Sequence, residues 1–419
     1  MTQASIVPLI AKSSILIAAA IGVTTADFGS TKWAALQVAL FVLPLFALVY
    51  PSENRLIWAF WGSLFLLLQA LVSPFIIDRD FVTLAPNVQE VVHVKEGIEG
   101  IHGRQVITTD WRGFRTTKNV DYATRNNDGL RIFAIGGSTT EQIYIDDLQT
   151  WTNLLQAALE RDSGKNMEVV NTGVSGARAA QHLATLRSIT SHHPDVAILL
   201  VGINDWDHHI ISHFSQRPEW RITLAKRIVE YRHRFQLRST PLGNAIDRFY
   251  GMLMASFGKK KQSARDEHGE YYAPKRGSLE RPDVRHFRPQ TVLEDYAATM
   301  EEISAVCKRH KISCVFVTQP TGYQASASEE FKKSFWMTPP NQDYTLDFQS
   351  MIHIASLYNA FLKSFAERHG HYLCDAAARF TPTFRSFYDD CHFNTAGAAQ
   401  MAQVIRECLL SLDLPHAAR

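Results

Sequence analysis

The stretch LRIFAIGGSTTEQ, residues 130–142, decides the fold of this chain. It begins with the apolar run Leu130–Ile135, which has the length of a buried strand, and continues into two glycines and a serine. After Asp147 the apolar residues recur at helical spacing. A strand, a glycine-rich turn and a helix in this order place Ser138 at the carboxyl edge of a sheet, where open α/β folds bind ligands. Taken alone, the stretch is equally compatible with an ordinary turn in which Ser138 only caps the helix.

Three later motifs also lie beside predicted strands and helices. NTGVSG (Asn171–Gly176) follows a short apolar strand, VGIND (Val201–Asp205) follows the strand Val196–Leu200, and DDCH (Asp389–His392) precedes a helix near the C-terminus. In this order, after GGS, the motifs resemble the sequence blocks of the SGNH hydrolases, the GDSL-type esterases and lipases. The resemblance covers the chain from Leu130 to the C-terminus, with one long interruption.

The resemblance implies a role for each matching residue. Ser138 resembles the nucleophile, and its amide N–H, the amide of Gly176 and the side chain of Asn204 resemble the three donors of an oxyanion hole. Asp389 and His392 resemble the D-x-x-H pair that completes a Ser-His-Asp triad. Such a serine mechanism implies neither a cofactor nor a metal.

The chemistry of the side chains supports these roles independently. A serine hydroxyl becomes a useful nucleophile only when a base removes its proton, and neutral imidazole titrates in the right range. The imidazole needs an acceptor that fixes its tautomer, and Asp389 can turn back to His392 within one loop. Asp390 is a substitute acceptor whose side chain should point elsewhere, and Cys391 is interpreted as a small buried spacer.

One position departs from the family pattern, which is G-D-S. Gly137 stands where the family has aspartate. That aspartate is not a triad member, so the triad chemistry is retained, whereas the local support of Ser138 is altered.

Strands alternate with helices in the C-terminal part, which predicts a parallel sheet. Five strands are typical of the doubly wound α/β/α sandwich of the resembled family, here over residues 129–419 with an insertion at residues 206–290. We predict that this insertion selects the substrate, because it leaves the strand end that carries Asn204. The predicted strands are Leu130–Ile135, Met167–Val170, Val196–Val201, Ile312–Val317 and His371–Leu373, and the main helices are Ala179–Thr190, Val292–His310, Met351–Arg368 and Thr395–Leu412.

The N-terminal part has a different composition. Residues 13–26, 33–50 and 56–77 carry no charged side chain, and the last two segments are long enough to cross a bilayer. We predict a transmembrane region at residues 1–77 with two or three helices, or a cleaved signal peptide followed by two spans. Three spans, or a cleaved signal peptide followed by two spans, place the C-terminal domain outside the cytoplasmic (inner) membrane, whereas two spans without insertion of the first segment leave it in the cytoplasm. A lead-in at residues 78–128, which is a stalk and edge element or a plain linker, joins the two parts.

Composition excludes several other functions. Lys and Arg number 43 against 41 Asp and Glu, which argues against nucleic-acid binding. The five cysteines form no C-x-x-C motif, and their odd number leaves at least one unpaired. His209 and His213 have a spacing that can hold zinc on a helix, but no third ligand is evident, so we predict no metal site. Lys259–Lys261 is compatible with an anionic ligand or with a solvated loop.

These observations favour a membrane-anchored serine esterase that removes acetyl or other O-acyl groups from an envelope or exported polysaccharide. The glycan substrate, preferred here over a lipid ester, and a link to envelope polysaccharide machinery rest on the resemblance and the topology. An O-acyltransferase would use the same serine, and the sequence does not distinguish it from a hydrolase. A catalytically silent glycan-binding or assembly subunit is the third hypothesis, and only Gly137 favours it.

Overall fold

The computed structural model describes residues 82–84, 87–94, 98–118, 120–125, 128–215 and 273–412. The three uncharged segments predicted to form the transmembrane region lie outside these residues, as does most of the predicted insertion, including Lys259–Lys261. None of the helices within the described ranges is long and apolar enough to cross a membrane.

A five-stranded parallel sheet forms the centre of the described domain. Its strands are β3 (Arg131–Gly136), β4 (Glu168–Asn171), β5 (Val196–Leu200), β7 (Ser313–Val317) and β9 (Tyr372–Cys374), in the spatial order β4-β3-β5-β7-β9. Every residue of β3, β4 and β5 is buried, as expected for strands covered on both faces. The predicted α/β fold with a parallel five-stranded sheet is confirmed, and the strand order is that of a doubly wound sheet.

Helices connect these strands. The helix Trp151–Ser163 packs against the helix Thr395–Ser411, and the helix Ala179–Ile189 packs against the helix Glu294–His310. Each long helix presents apolar side chains at helical spacing to the sheet or to a neighbouring helix. The helices of the described residues are α1 (Ser138–Glu141), α2 (Trp151–Ser163), α3 (Ala179–Ile189), α4 (Ile203–Phe214), α5 (Glu294–His310), α6 (Glu329–Lys332), α7 (Phe348–His369) and α8 (Thr395–Ser411).

The segment before the sheet is more regular than its sequence indicates. The segment Gln89–Val94 forms strand β1, which pairs antiparallel with β2 (Gly103–Thr108), a strand that the polar sequence does not indicate. Phe114 is buried and makes an edge-on contact with Phe133 of β3. The backbone of Arg115 forms a bridge with Asn171 beside the edge strand β4. This part of the lead-in therefore packs into the domain.

Both described ends of the predicted insertion are also part of the domain. Trp206, where the insertion was predicted to begin, lies inside helix α4, and it is fully buried. At the other end, β6 (Asp283–Arg285) pairs in parallel with β8 (Tyr344–Leu346), and Ser278 is buried. Helix α4 therefore continues past the predicted start of the insertion at residue 206, and its buried face extends one turn beyond Trp206 to Ile210.

Four of the five cysteines form two disulfides. Cys307 at the end of α5 is bonded to Cys314 in β7, and Cys374 in β9 is bonded to Cys408 in α8. Cys391 remains a free, buried thiol, so the odd cysteine is the one between Asp390 and His392.

Candidate active site

The candidate site lies where β3 and β5 end side by side. Gly136 of β3 is in register with Leu200 of β5, so the residues that follow these two strands emerge at the same edge. Ser138 begins helix α1, and Asn204 lies in the first turn of α4. This edge is the point at which the strand order reverses, the usual place for ligands in open α/β sheets.

Three side chains form a continuous hydrogen-bonded chain at this edge. His392 Nε2 lies 2.7 Å from Ser138 Oγ, and His392 Nδ1 lies 2.7 Å from Asp389 Oδ2. The other carboxylate oxygen, Asp389 Oδ1, accepts the backbone N–H groups of Cys391 and His392 at 2.9 and 2.7 Å. The Asp389 side chain is thus hydrogen-bonded to the backbone of its own loop, which fixes the carboxylate beside the imidazole. The structure therefore brings together the three residues that the motifs singled out for a triad.

The charges of this chain are set by opposing effects. Burial disfavours the imidazolium of His392, but the carboxylate of Asp389 and its hydrogen bond outweigh burial, and the net pKa of His392 is raised. Burial likewise disfavours the Asp389 carboxylate, yet His392 and the two backbone N–H groups lower its pKa overall. Asp389 therefore stays ionised and can stabilise an imidazolium when one forms.

The segments that carry the three predicted oxyanion donors, Ser138, Gly176 and Asn204, adjoin one another, because the Asn204 side chain lies against both Gly137 and Ala177. Asn204 Nδ2 donates one hydrogen bond to the carbonyl of Ala177 at 2.8 Å, which orients its carboxamide. Gly176 is exposed and has a φ of +78°, a conformation that glycine adopts without strain. Among the described residues, neither the amide N–H of Ser138 nor that of Gly176 has a protein acceptor. These two amides and the second N–H of Asn204 can therefore bind a developing negative charge.

The structure also explains the glycine that departs from the family pattern. A Cβ atom at position 137 would lie 2.7 Å from Asn204 Nδ2, closer than real Cβ atoms approach such an atom. The absence of a side chain at Gly137 therefore makes room for the Asn204 carboxamide. Beside Ser138, the aspartate side chain of the family pattern is therefore replaced by a close approach of the Asn204 side chain to Gly137.

Several buried polar residues that the sequence analysis did not single out hold the loop that carries Gly176. Glu141 Oε2 accepts the amide N–H of Ser175 at 2.6 Å, and Asp205 Oδ1 accepts that of Ala179 at 3.1 Å. Glu141 is only three residues beyond Ser138, so one short helix positions both the serine and the opposite loop. The polar residues TTE (139–141) after GGS were the only sequence signal for this arrangement.

Arg115 of the lead-in reaches the same region. Its guanidinium donates to the carbonyls of Gln142 and Ile145, both at 2.8 Å, and to Asp147 Oδ1 at 2.7 Å. The side chain is almost fully buried, and a buried guanidinium is stable only when its donors are paired in this way. Arg115 thus supports the turn that follows helix α1.

The second aspartate of the DDCH motif points away from His392. Asp390 Oδ2 accepts the hydroxyl of Tyr323 at 2.6 Å and the amide N–H groups of Trp336 and Met337 at 3.0 and 2.7 Å. Burial, together with the neighbouring Asp389, raises the pKa of Asp390 to about 7. Asp390 is therefore not the acceptor for the imidazole, in keeping with its position in the motif.

The histidine pair considered for zinc is packed against aromatic rings. His209 Nδ1 lies 3.3 Å from the hydroxyl of Tyr358, and the ring of His213 stacks on Phe287 with centroids 4.3 Å apart. Across the described ranges, the one group of metal-ligand side chains is Asp389, Cys391 and His392. In that group, Nδ1 of His392 is already hydrogen-bonded to Asp389, so the geometry favours proton transfer between Ser138 and His392.

The family model for GDSL-like lipases and acylhydrolases matches residues 134–400 of this chain. No curated protein matches this chain significantly. Solved structures with a similar fold include LAE5, an alpha/beta hydrolase enzyme from the metagenome of Lake Arreo, Spain (17% identity, TM-score 0.37, 67% of this chain and 96% of that one). Another is Axe2, an acetylxylan esterase from Geobacillus stearothermophilus (12% identity, TM-score 0.38, 70% and 98% covered). A third is the acetyl xylan esterase AlAXEase (14% identity, TM-score 0.35, 67% and 100% covered).

Proposed function

Because this chain belongs to the GDSL-like lipase/acylhydrolase family and is therefore a hydrolase that acts on ester bonds, we propose that it is a membrane-anchored serine esterase. Its substrate is an O-acylated, principally O-acetylated, polysaccharide of the envelope or an exported one. The observation that carries the catalytic part of the proposal is the 2.7 Å contact between Ser138 Oγ and His392 Nε2, with the opposite imidazole nitrogen on Asp389.

The reaction proceeds through an acyl-enzyme. His392 Nε2 removes the hydroxyl proton of Ser138 while Oγ attacks the ester carbonyl carbon. The carbonyl oxygen becomes an oxyanion and accepts N–H groups of Ser138, Gly176 and Asn204. As the intermediate collapses, the imidazolium gives its proton to the leaving alcohol, and the acyl group remains on Ser138. A water molecule, deprotonated by the same imidazole, then attacks the acyl-enzyme. The bond to Ser138 Oγ breaks, the imidazolium returns its proton to Oγ, and the carboxylic acid is released.

The electrostatics suit this sequence of steps. The lowered pKa of Asp389 keeps the carboxylate ionised, and the raised pKa of His392 makes the neutral imidazole a stronger base. A stronger base accepts the serine proton more readily, but a larger fraction of it is protonated at neutral pH. The proposed esterase should therefore be most active on the alkaline side of neutrality.

The location of the enzyme is proposed from two independent features. The uncharged segments 33–50 and 56–77 have the length of membrane spans, and the chain that follows them is delivered to the outer side when segment 13–26 also spans the membrane or is cleaved as a signal peptide. The two disulfides of the domain support this placement, because such bonds form and persist in oxidising compartments.

The polysaccharide substrate is proposed from the insertion that leaves α4. It carries aromatic and basic side chains of the kinds that stack on sugar rings and attract anionic groups. None of them belongs to the proposed triad or oxyanion hole, so their contribution is to binding. They are Trp220, Tyr250, Phe257, Lys259–Lys261, Tyr271 and Tyr272.

Hydrolysis of p-nitrophenyl acetate and of a long-chain p-nitrophenyl ester by the full-length protein tests the chemistry, with Ser138→Ala as control. We expect Ser138-dependent release of p-nitrophenol, faster from the acetate. Equal rates in the wild type and in Ser138→Ala would refute the serine mechanism. A product in which acetyl passes to an added sugar hydroxyl, in place of free acetate, would identify a transferase.

Replacement of residues 258–272 with a Gly/Ser linker tests the role of the insertion. The boundary is set by Ser278, which is buried and must be kept. We expect unchanged hydrolysis of p-nitrophenyl acetate and a large loss on an acetylated polysaccharide, because binding to remote parts of a large substrate acts at its reacting centre. A parallel loss on both substrates, or no loss on either, would contradict a role in substrate selection.

A further inference from the structure

We propose that Trp336 is a positioning residue that fixes the Asp389–His392 pair through its indole N–H. This inference rests on the proposed serine mechanism, since it concerns the orientation of the imidazole that serves Ser138. Trp336 lies in no sequence motif and is separated from Asp389 by 53 positions in the chain.

The first argument is the hydrogen bond itself. Trp336 Nε1 donates to Asp389 Oδ2 at 2.8 Å, and this oxygen also binds His392 Nδ1 at 2.7 Å. Because Asp389 Oδ1 is held by two backbone N–H groups, the indole completes the set of donors around a fully buried carboxylate. A carboxylate held at both oxygens cannot rotate away from the imidazole.

The second argument is the stacking of aromatic rings on the imidazole. The indole of Trp336 lies nearly parallel to the His392 ring, with an interplanar angle of 12° and centroids 6.1 Å apart. The ring of Tyr388 is also nearly parallel to it, at 7° and 5.5 Å. Two parallel rings restrict the tilt of the imidazole, so that Nε2 stays directed at Ser138.

The third argument is the anchoring of the segment that carries the indole. Asp390 Oδ2 accepts the backbone N–H groups of Trp336 and Met337. Lys275 Nζ lies 5.7 Å from the centre of the Trp336 ring. Two consecutive aspartates therefore hold Trp336: Asp389 accepts its indole N–H, and Asp390 accepts its backbone N–H.

The chemical consequence concerns the proton of His392. A donor on Asp389 Oδ2 delocalises part of the carboxylate charge, so Asp389 attracts the imidazolium less strongly than a carboxylate with no other donor would. Removal of the indole N–H should therefore raise the pKa of His392 further and leave its ring less well aimed. Both effects act on the chemical step, and neither changes the binding of a small ester.

The test compares full-length wild type, Trp336→Phe and the matched control Trp111→Phe, which alters a half-buried indole in the lead-in. We expect Trp336→Phe to lower kcat for p-nitrophenyl acetate by about tenfold to a hundredfold, as loss of a hydrogen bond to a charged group does, with KM unchanged. The acid limb of its pH profile should move up by about one unit. Trp111→Phe should change neither quantity.

An isosteric replacement of Trp336 and a titration of His392 provide two further tests. If Trp336→Phe does not fold, site-specific benzothienylalanine at position 336, which has the shape of tryptophan without its N–H, replaces it. NMR titration of the His392 imidazole in labelled protein should show the same upward shift without any turnover. A wild type that fails to hydrolyse esters would refute the proposed function alone. An unchanged His392 titration, or kcat within threefold of wild type, would show that Trp336 only fills space.

Discussion

The substitution Gly137→Ala should disable the oxyanion hole while it leaves the fold intact. The new Cβ would lie 2.7 Å from Asn204 Nδ2, whereas ordinary contact begins at 3.4 Å, so the carboxamide must move by about 0.7 Å. The atom that must move is the end of a side chain held by one hydrogen bond to Ala177, so the free energy of unfolding should change by less than about 1 kcal/mol. A displacement near 1 Å costs about 10²-fold in rate, and a lost oxyanion donor costs about 10²–10³-fold. We therefore expect kcat for p-nitrophenyl acetate to fall about 10²-fold.

A double-mutant cycle identifies the cause of the loss. If the methyl group acts by displacing Asn204, Gly137→Ala combined with Asn204→Ala should be no slower than Asn204→Ala alone. Gly164→Ala is the matched control, since that glycine ends helix α2 with open space around its missing Cβ and lies outside the proposed machinery. It should reduce the melting temperature, because φ at this position is +67°, and it should leave kcat unchanged.

Two results would refute this reasoning. Activity of Gly137→Ala within threefold of wild type would show that Asn204 tolerates the methyl group or is not a donor. Independent losses that multiply in the double variant would show that Gly137 acts on Ser138 by another route.

Three further predictions follow from the charges around the site. The kcat/KM profile should rise with pH through an inflection above the ordinary histidine pKa of 6.5, because the pKa of His392 is raised and only the neutral imidazole accepts the serine proton; an inflection below pH 6 would contradict this. Asp389→Asn should lower kcat about 10⁴-fold, whereas Asp390→Asn should cost less than about tenfold, since an amide oxygen can still accept the backbone N–H groups; the reverse order would show that Asp390 serves the imidazole. Burial and the nearby Asp390 raise the pKa of Asp207 to about 8, so the folded protein retains a proton that the unfolded chain releases from about pH 4, and stability declines as the pH rises through this window. Asp207→Asn should therefore raise the melting temperature by more at pH 8 than at pH 5, and an equal change at both values would exclude titration as the cause.

The architecture was predictable because its signals are local. Short apolar runs followed by glycine or asparagine indicated strand ends, and helical spacing indicated the helices between them. The strand bounds agree to within a residue or so with β3, β4, β5, β7 and β9. Helix α4 and strand β2 were missed, because polar and aromatic residues obscure their periodicity.

The candidate site was predictable only where it coincides with a motif. Ser138 and Asn204 each follow a buried strand, so both are expected at one sheet edge, and Asp389 stands three residues before His392, so these two are expected to meet within one loop. The hydrogen-bonded contacts among Ser138, His392 and Asp389 in the structure have the arrangement that this order predicts.

The sequence by itself determined the sheet, its carboxyl edge and the residue types presented there, because strands, turns and loop motifs are specified by neighbours along the chain. Only the tertiary structure decided which distant residues support that edge. Trp336 reaches Asp389 across 53 positions, and Arg115 reaches the turn after α1 from the lead-in. The pairing of the cysteines and the room that Gly137 leaves for Asn204 are of the same kind. Such contacts depend on the packing of whole elements against one another, and residue spacing along the chain carries no record of that packing.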